Sequence, residues 1–141
     1  MKKQVVLRLQ GRQYYDKQEP EITELMTVGT IEFTDGGWDI CYEESELTGL
    51  AGVTTTFRLE PEKVTLRRTG ALRSEMVFQE GVRHQSLYQL DFGALLLTVC
   101  ARQIMASISD DGGVVDLVYD IEIENSEAGV VEYHLEIIPK N

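Results

Sequence analysis

Two cysteines, three prolines, two histidines and one tryptophan in 141 residues close off several kinds of protein at the outset. Two cysteines cannot build a disulfide framework, and the basic start Lys2-Lys3 leads into no apolar h-region of the kind a signal peptide carries. Cys41 and Cys100 are therefore expected as buried free thiols in a reducing cytosol, which makes the expected location cytoplasmic. His84 and His134 lie far apart in the chain, and no Cys/His spacing resembles a zinc site. No metal and no other cofactor is expected. Long apolar runs are also missing: no window approaches the roughly eighteen residues a membrane helix needs. A glycine-rich phosphate loop opening a helix is absent, which excludes the nucleotide-binding folds built on one. Absent too is the Gly-x-Ser-x-Gly elbow of a serine hydrolase.

Positive charge is scarce. There are 13 Lys and Arg against 24 Asp and Glu, for a net charge of −11. Residues 1–70 hold 12 acids and 9 bases, residues 71–141 hold 12 acids and 4 bases. Binding to nucleic acid or to an anionic membrane rests on clustered Lys and Arg, so neither is an expected partner. The acidic surplus reads first as solubility and self-repulsion.

What the chain does contain is alternation. Val5, Leu7 and Leu9 alternate with Val6, Arg8 and Gln10, and the first strand is read as Lys3 to Gln10. A polar connection over Gly11 to Glu21 follows, then an extended run from Ile22 to Phe33 ending at Asp35-Gly36-Gly37, a hairpin turn that needs positive φ. Trp38, Ile40 and Tyr42 fall on one face after it. Glu43 to Gly52 is an acidic, glycine-bearing loop. Val53–Leu59 and Lys63–Thr69 pair around Glu60-Pro61-Glu62; setting Phe57 against Leu66 places Val53, Thr55, Phe57, Leu59, Val64, Leu66 and Arg68 on a single face. Leu72–Gln79 and Val82–Gln89 are expected to pair around Glu80-Gly81. The most apolar stretch, Arg83 to Ser109, forms two extended runs about a Leu90-Asp91-Phe92-Gly93 corner. After Asp110-Asp111-Gly112-Gly113, Val115, Leu117, Tyr119 and Ile121 share a face, as do Val131, Tyr133, Leu135 and Ile137 in the last strand.

No helix-period segment exceeds a turn or two. The expected architecture is all-β: one domain over residues 1–141, an antiparallel meander of about eight to ten strands. A meander this long closes so that no edge is left exposed, which points to a barrel. A barrel of about eight or more strands can be filled by side chains or can hold one small ligand.

The order and spacing of several residues resemble the YwiB-like proteins of Gram-positive bacteria. They are Tyr42 and Glu44, Thr48-Gly49-Leu50, Gly52, Thr55-Thr56, Arg68 with Gly70, Gly81, Tyr88 with Phe92-Gly93, and Gly113 leading into Leu117, Tyr119, Ile121 and Glu122. Where that family's corner reads Tyr-x-Thr-Pro-Phe-Gly, this chain has Leu90 and Asp91 in place of Thr and Pro. The resemblance implies a calycin-type, lipocalin-like β-barrel and implies no reaction. Calycins often bind small molecules inside the barrel, so a small-molecule ligand is the expected partner.

Arg68 is the most informative single residue. A guanidinium on an inward face must be paired or must meet water. It could anchor an anionic or amphipathic ligand at the barrel mouth, helped by Arg58, Lys63, Arg67, Arg73 and Arg83. Equally, it could be a structural ion pair with Glu44 or Glu75. His84, Ser86 and Tyr88 alternate along one strand, but Ser and His two apart lie roughly 7 Å apart at Cα, too far for a nucleophile–base pair. The candidate ligand-binding residues are Arg68, Arg83, His84, Tyr88, Tyr42 and Phe92. Three functions stay open: a ligand-binding barrel, a filled barrel working through its acidic surface, and an enzyme. The last requires Arg68, His84 and Tyr88 to converge within about 4 Å in a cleft. No catalytic residue is assigned.

Overall fold

The computed structural model describes residues 2–14, 19–45, 50–90 and 93–140. These residues form ten strands in one sheet: β1 (Lys3–Tyr14), β2 (Glu21–Thr34), β3 (Gly37–Glu43), β4 (Val53–Glu60), β5 (Lys63–Gly70), β6 (Ser74–Phe78), β7 (Arg83–Leu90), β8 (Gly93–Ser109), β9 (Gly112–Ile123) and β10 (Ser126–Pro139). Successive strands pair from β1 through to β6 and again from β7 through to β10, and β10 pairs with β1. All of these pairings are antiparallel. The chain is thus an up-and-down meander curled into a nearly closed barrel, with its seam between β6 and β7.

Period-two alternation sets the inside. Leu7, Ile31, Ile40, Phe78 and Leu135 are fully buried there, joined by Phe57, Val64, Val99, Leu117 and Ile137. Each such side chain contributes about 1.5–3 kcal/mol relative to exposure. The expected partnership of Phe57 with Leu66 is present, and it sets Thr55 against Arg68. Asp35 and Gly36 both adopt left-handed backbone angles, as a two-residue turn between β2 and β3 requires. Arg58 then pins that turn from the outer face: it donates to Asp39 and to the carbonyl oxygens of Thr34 and Asp35. Gly29 marks a close approach of strands, because a Cβ there would sit 2.5 Å from the Cys41 carbonyl oxygen and 2.6 Å from Leu7 Cδ1.

Three expectations are corrected. First, β1 does not stop at Gln10. It runs through the polar Gly11–Tyr14 segment, because β2 and β10 supply backbone partners on both sides as far as Gln13↔Glu21 and Tyr14↔Val130. Pairing on two edges outweighs a weak side-chain pattern. Second, the hairpin about Glu80-Gly81 is open. Only the bridges Gln79↔Val82 and Arg73↔Gln89 join its arms. The inward residues of β7 are His84, Ser86 and Tyr88, all half-buried, and they offer little apolar surface to hold the arm in place. Third, Cys41 and Cys100 are free but half-buried rather than buried. Asp91 and Phe92, at the corner between β7 and β8, lie outside the described residues. Among the described residues no helix is long and apolar enough to cross a membrane.

Candidate functional site

The strand ends that carry the β1–β2, β3–β4 and β9–β10 connections frame a pocket of about 280 Å³ at one mouth of the barrel. Its depth is lined by Tyr42 from β3, Arg68 from β5, Tyr119 from β9 and Tyr133 from β10, with Glu44 just beyond β3. Each of the four strand residues continues the inward alternation of its own strand, which is why residues nearly a hundred positions apart meet. Leu9, Leu25, Ile121 and Val131 add apolar wall, and Arg12 and Glu21 lie toward the rim.

The charges inside are answered unequally. Glu44 is buried, and its carboxylate accepts a hydrogen bond from Thr55 Oγ1 at 2.9 Å. The Tyr42 hydroxyl donates to the same carboxylate and is also hydrogen-bonded to Tyr133. The anion therefore sits among hydroxyl groups. Arg68 makes no ion pair among the described residues; its Nε is buried and has no hydrogen-bond partner. Directly across the β5–β6 ladder stands Ser74, whose Oγ is likewise buried without a partner. Two neighbouring orphans of this kind are uncommon in native proteins, and both can donate to an acceptor that enters between them.

The tyrosines are held neutral. Burial drives the Tyr42 hydroxyl well above its ordinary range, and Tyr133 and Glu44 push the same way. Burial raises Tyr119 too, reinforced by Tyr133 and opposed by Arg68. Tyr133 is pushed up to about 12 by burial, against the pull of its bond to Tyr42 and of Arg68. At neutral pH the pocket accordingly presents neutral phenols beside the Arg68 guanidinium, with the Tyr42 hydroxyl already donating to Glu44. That combination suits an anion and offers no general base among the tyrosines.

The sequence-derived candidates separate cleanly. Arg68 and Tyr42 come together here. Tyr88 faces inward on β7 and packs against the core. His84 also faces inward, but its Nε2 is bonded to Gln79 Oε1 at 2.7 Å near the β6–β7 turn. Four residues along a strand separate it from Tyr88 by about 13 Å. Among the described residues no hydrogen bond joins Arg68, His84 and Tyr88, so the convergence that an enzyme reading needs is not seen. Arg83 points outward and pairs with Glu122. The expected basic cluster is dispersed in the same way: Arg58 pairs with Asp39, Lys63 with Glu60, and Arg67 with Glu75. An ion pair between Arg68 and Glu75 is therefore replaced by one from Arg67. Phe92 lies outside the described residues.

Tyr119, Tyr133 and Glu44 belong to the site, although the candidate ligand-binding residues include none of them and Glu44 enters the sequence reading as an ion-pair partner for Arg68. Alternation had put both tyrosines on a core face; what it could not supply was the mouth at which they lie, which depends on β10 closing onto β1.

Three comparisons with known proteins bear on the fold and the family. The chain is 22% identical over 112 residues to the uncharacterized β-barrel protein YwiB of Bacillus subtilis (strain 168), covering 79% of this chain and 78% of that protein. It also superimposes on the crystal structure of the YwiB protein from Bacillus subtilis with a TM-score of 0.87 at 18% identity, covering 99% of this chain and 94% of that one. At that identity the likeness establishes the barrel fold alone. Over residues 7–137 the chain matches, and belongs to, the family described as domain of unknown function (DUF1934).

Proposed function

We propose that the barrel binds a small amphipathic anion at this mouth, with Arg68 as its anchor, in the manner of calycin barrels. The observation that carries this reading is the buried, unpartnered Arg68 Nε inside a pocket walled by neutral tyrosines. A bound carboxylate or phosphate would accept from Arg68, and Ser74 stands one strand away as a further donor. The ligand's apolar part would lie against Leu9, Leu25, Ile121 and Val131. A volume of about 280 Å³ sits near the lower end of ordinary ligand pockets, which suits a small metabolite. Two free thiols accord with function in a reducing cytosol.

Arg68→Met separates the ligand anchor from a structural arginine. With octanoate and octylamine as probes, native mass spectrometry should show an adduct with octanoate, none with octylamine, and neither with the variant. The melting temperature of the ligand-free variant should be equal to or above that of the parent, because a buried Nε without a partner is removed. Equal retention of both probes by the parent protein, or a variant that is markedly less stable, sinks the proposal.

A further inference from the structure

The opposite mouth has a different feature, an unfinished sheet edge. Strand β8 is paired with β9 from Leu97↔Ile123 through to Ser109↔Gly112. On its other side β7 pairs with it only from Leu90↔Gly93 to Arg83↔Cys100. Beyond Ala101 a bulge resets the register against β9, and no strand covers the second edge of residues 103–109 among those described.

The direction of the free groups can be read from one bond. Ile104 N donates to Glu80 Oε2 at 2.9 Å, so the Ile104 amide faces the gap rather than β9. The ladder from Gln103↔Val118 to Ser109↔Gly112 is regular. Amides of the same parity, those of Ala106 and Ile108, therefore also face the gap, together with their carbonyl groups. Glu80 caps the first rung, and the next two have no strand opposite them. A row of open backbone donors and acceptors is a template for another strand.

Beside this edge lies a cleft of about 870 Å³, lined by Phe33, Trp38, Val82, Ile104 and Ile108 and rimmed by Glu60, Glu62 and Glu80. Ala106 points to the barrel side of β8 and is nonetheless exposed. Phe33 (54% exposed) and Val82 (43% exposed) leave apolar surface open to an incoming side chain. Among the described lining residues Lys63 is the one base, and Glu60 engages it at 3.6 Å.

We propose that the free edge of β8 accepts an extended segment of a partner protein as an added strand. That segment alternates apolar with basic residues. Main-chain hydrogen bonds to Ala106 and Ile108 would give the register, and apolar side chains would enter the cleft. The carboxylate rim selects Lys and Arg around them. A second copy of this chain is the poorer occupant, since it would bring a net charge of −11 against the same acids.

The probe is a short capped peptide alternating valine and lysine, titrated into the full chain and followed by amide hydrogen exchange. Saturating peptide should slow exchange at Ala106 and Ile108 by about tenfold or more. The same peptide with its alternate backbone nitrogens methylated should lose this protection. Glu62→Lys, at an exposed turn position, should weaken binding by roughly threefold or more while leaving the fold intact. Absence of binding, or unchanged binding of the methylated peptide, would falsify the proposal. A concentration-dependent dimer of the free protein with the same two amides protected would overturn it in favour of self-association.

Discussion

The barrel is closed in two places, and the two closures are built from opposite materials. Strands β1 and β10 come from the two ends of the chain, yet they pair at ten successive positions from Val5↔Pro139 to Tyr14↔Val130. Strands β6 and β7 are neighbours in sequence, yet two bridges are all that join them. Nearness along the chain makes a hairpin cheap in loop entropy, but it does not make one form. What differs is the inward face. Leu7, Leu9, Leu135 and Ile137 are buried across the first closure, whereas His84, Ser86 and Tyr88 face inward at the second. Apolar burial holds one seam shut and its shortage leaves the other ajar. The open edge of β8 continues from that second seam.

Breaking the strong closure should have the largest effect. Leu135→Ala removes a fully buried side chain set opposite Leu9 and should cost about 3 kcal/mol in chemical denaturation. If the loss were as small as that of a surface change, the β1–β10 closure would not be the stronger of the two. The weak closure invites the reverse change. Ser86→Val supplies apolar surface to the inward face of β7 and should raise stability by about 1 kcal/mol. It should also slow amide exchange along β7 more than along β1. A destabilised Ser86→Val would show that the seam is held open by crowding rather than by a lack of apolar contact.

Much of this is legible in the sequence. The short turn at Pro61-Glu62 sets the register of β4 against β5, and alternation from Phe57↔Leu66 then carries Arg68 onto the inner face. The same rule speaks for Arg83: its neighbour His84 faces inward, so Arg83 must face out, where it meets Glu122. Treating Arg83 and His84 as members of one site conflicted with a period of two. Other features depend on pairings that no local pattern encodes. Gly11–Tyr14 reads as a connection until β10 is placed beside it. The hydroxyl shell of Glu44 draws Tyr42 from β3 and Thr55 from β4, and links through Tyr42 to Tyr133 on β10. This shell releases Arg68 from the ion pair that composition alone would have suggested. The β8 edge is a matter of strand length: seventeen residues of β8 face eight of β7, and hydrophobic periodicity is blind to that mismatch.

The smallest effect expected lies on the outer surface of the strong closure. His134 on β10 pairs across the ladder with Asp116 and also meets Glu136. The hydrogen bond to Asp116 is the chief cause of a pKa raised above the ordinary histidine value; slight burial opposes it, and the charges of Asp116 and Glu136 reinforce it. A histidine whose folded pKa exceeds its unfolded value of roughly 6.5 adds stability that is complete below that value. The contribution is lost as pH rises through the folded pKa. Because the pair is only partly buried, screening keeps it small and salt-sensitive. The stability difference between the parent and His134→Gln should therefore shrink from about pH 6 to about pH 8, and should shrink at any pH in high salt. A difference that instead grew with pH would mean that His134 serves this closure as a neutral ring packed on the sheet rather than as a cation between two carboxylates.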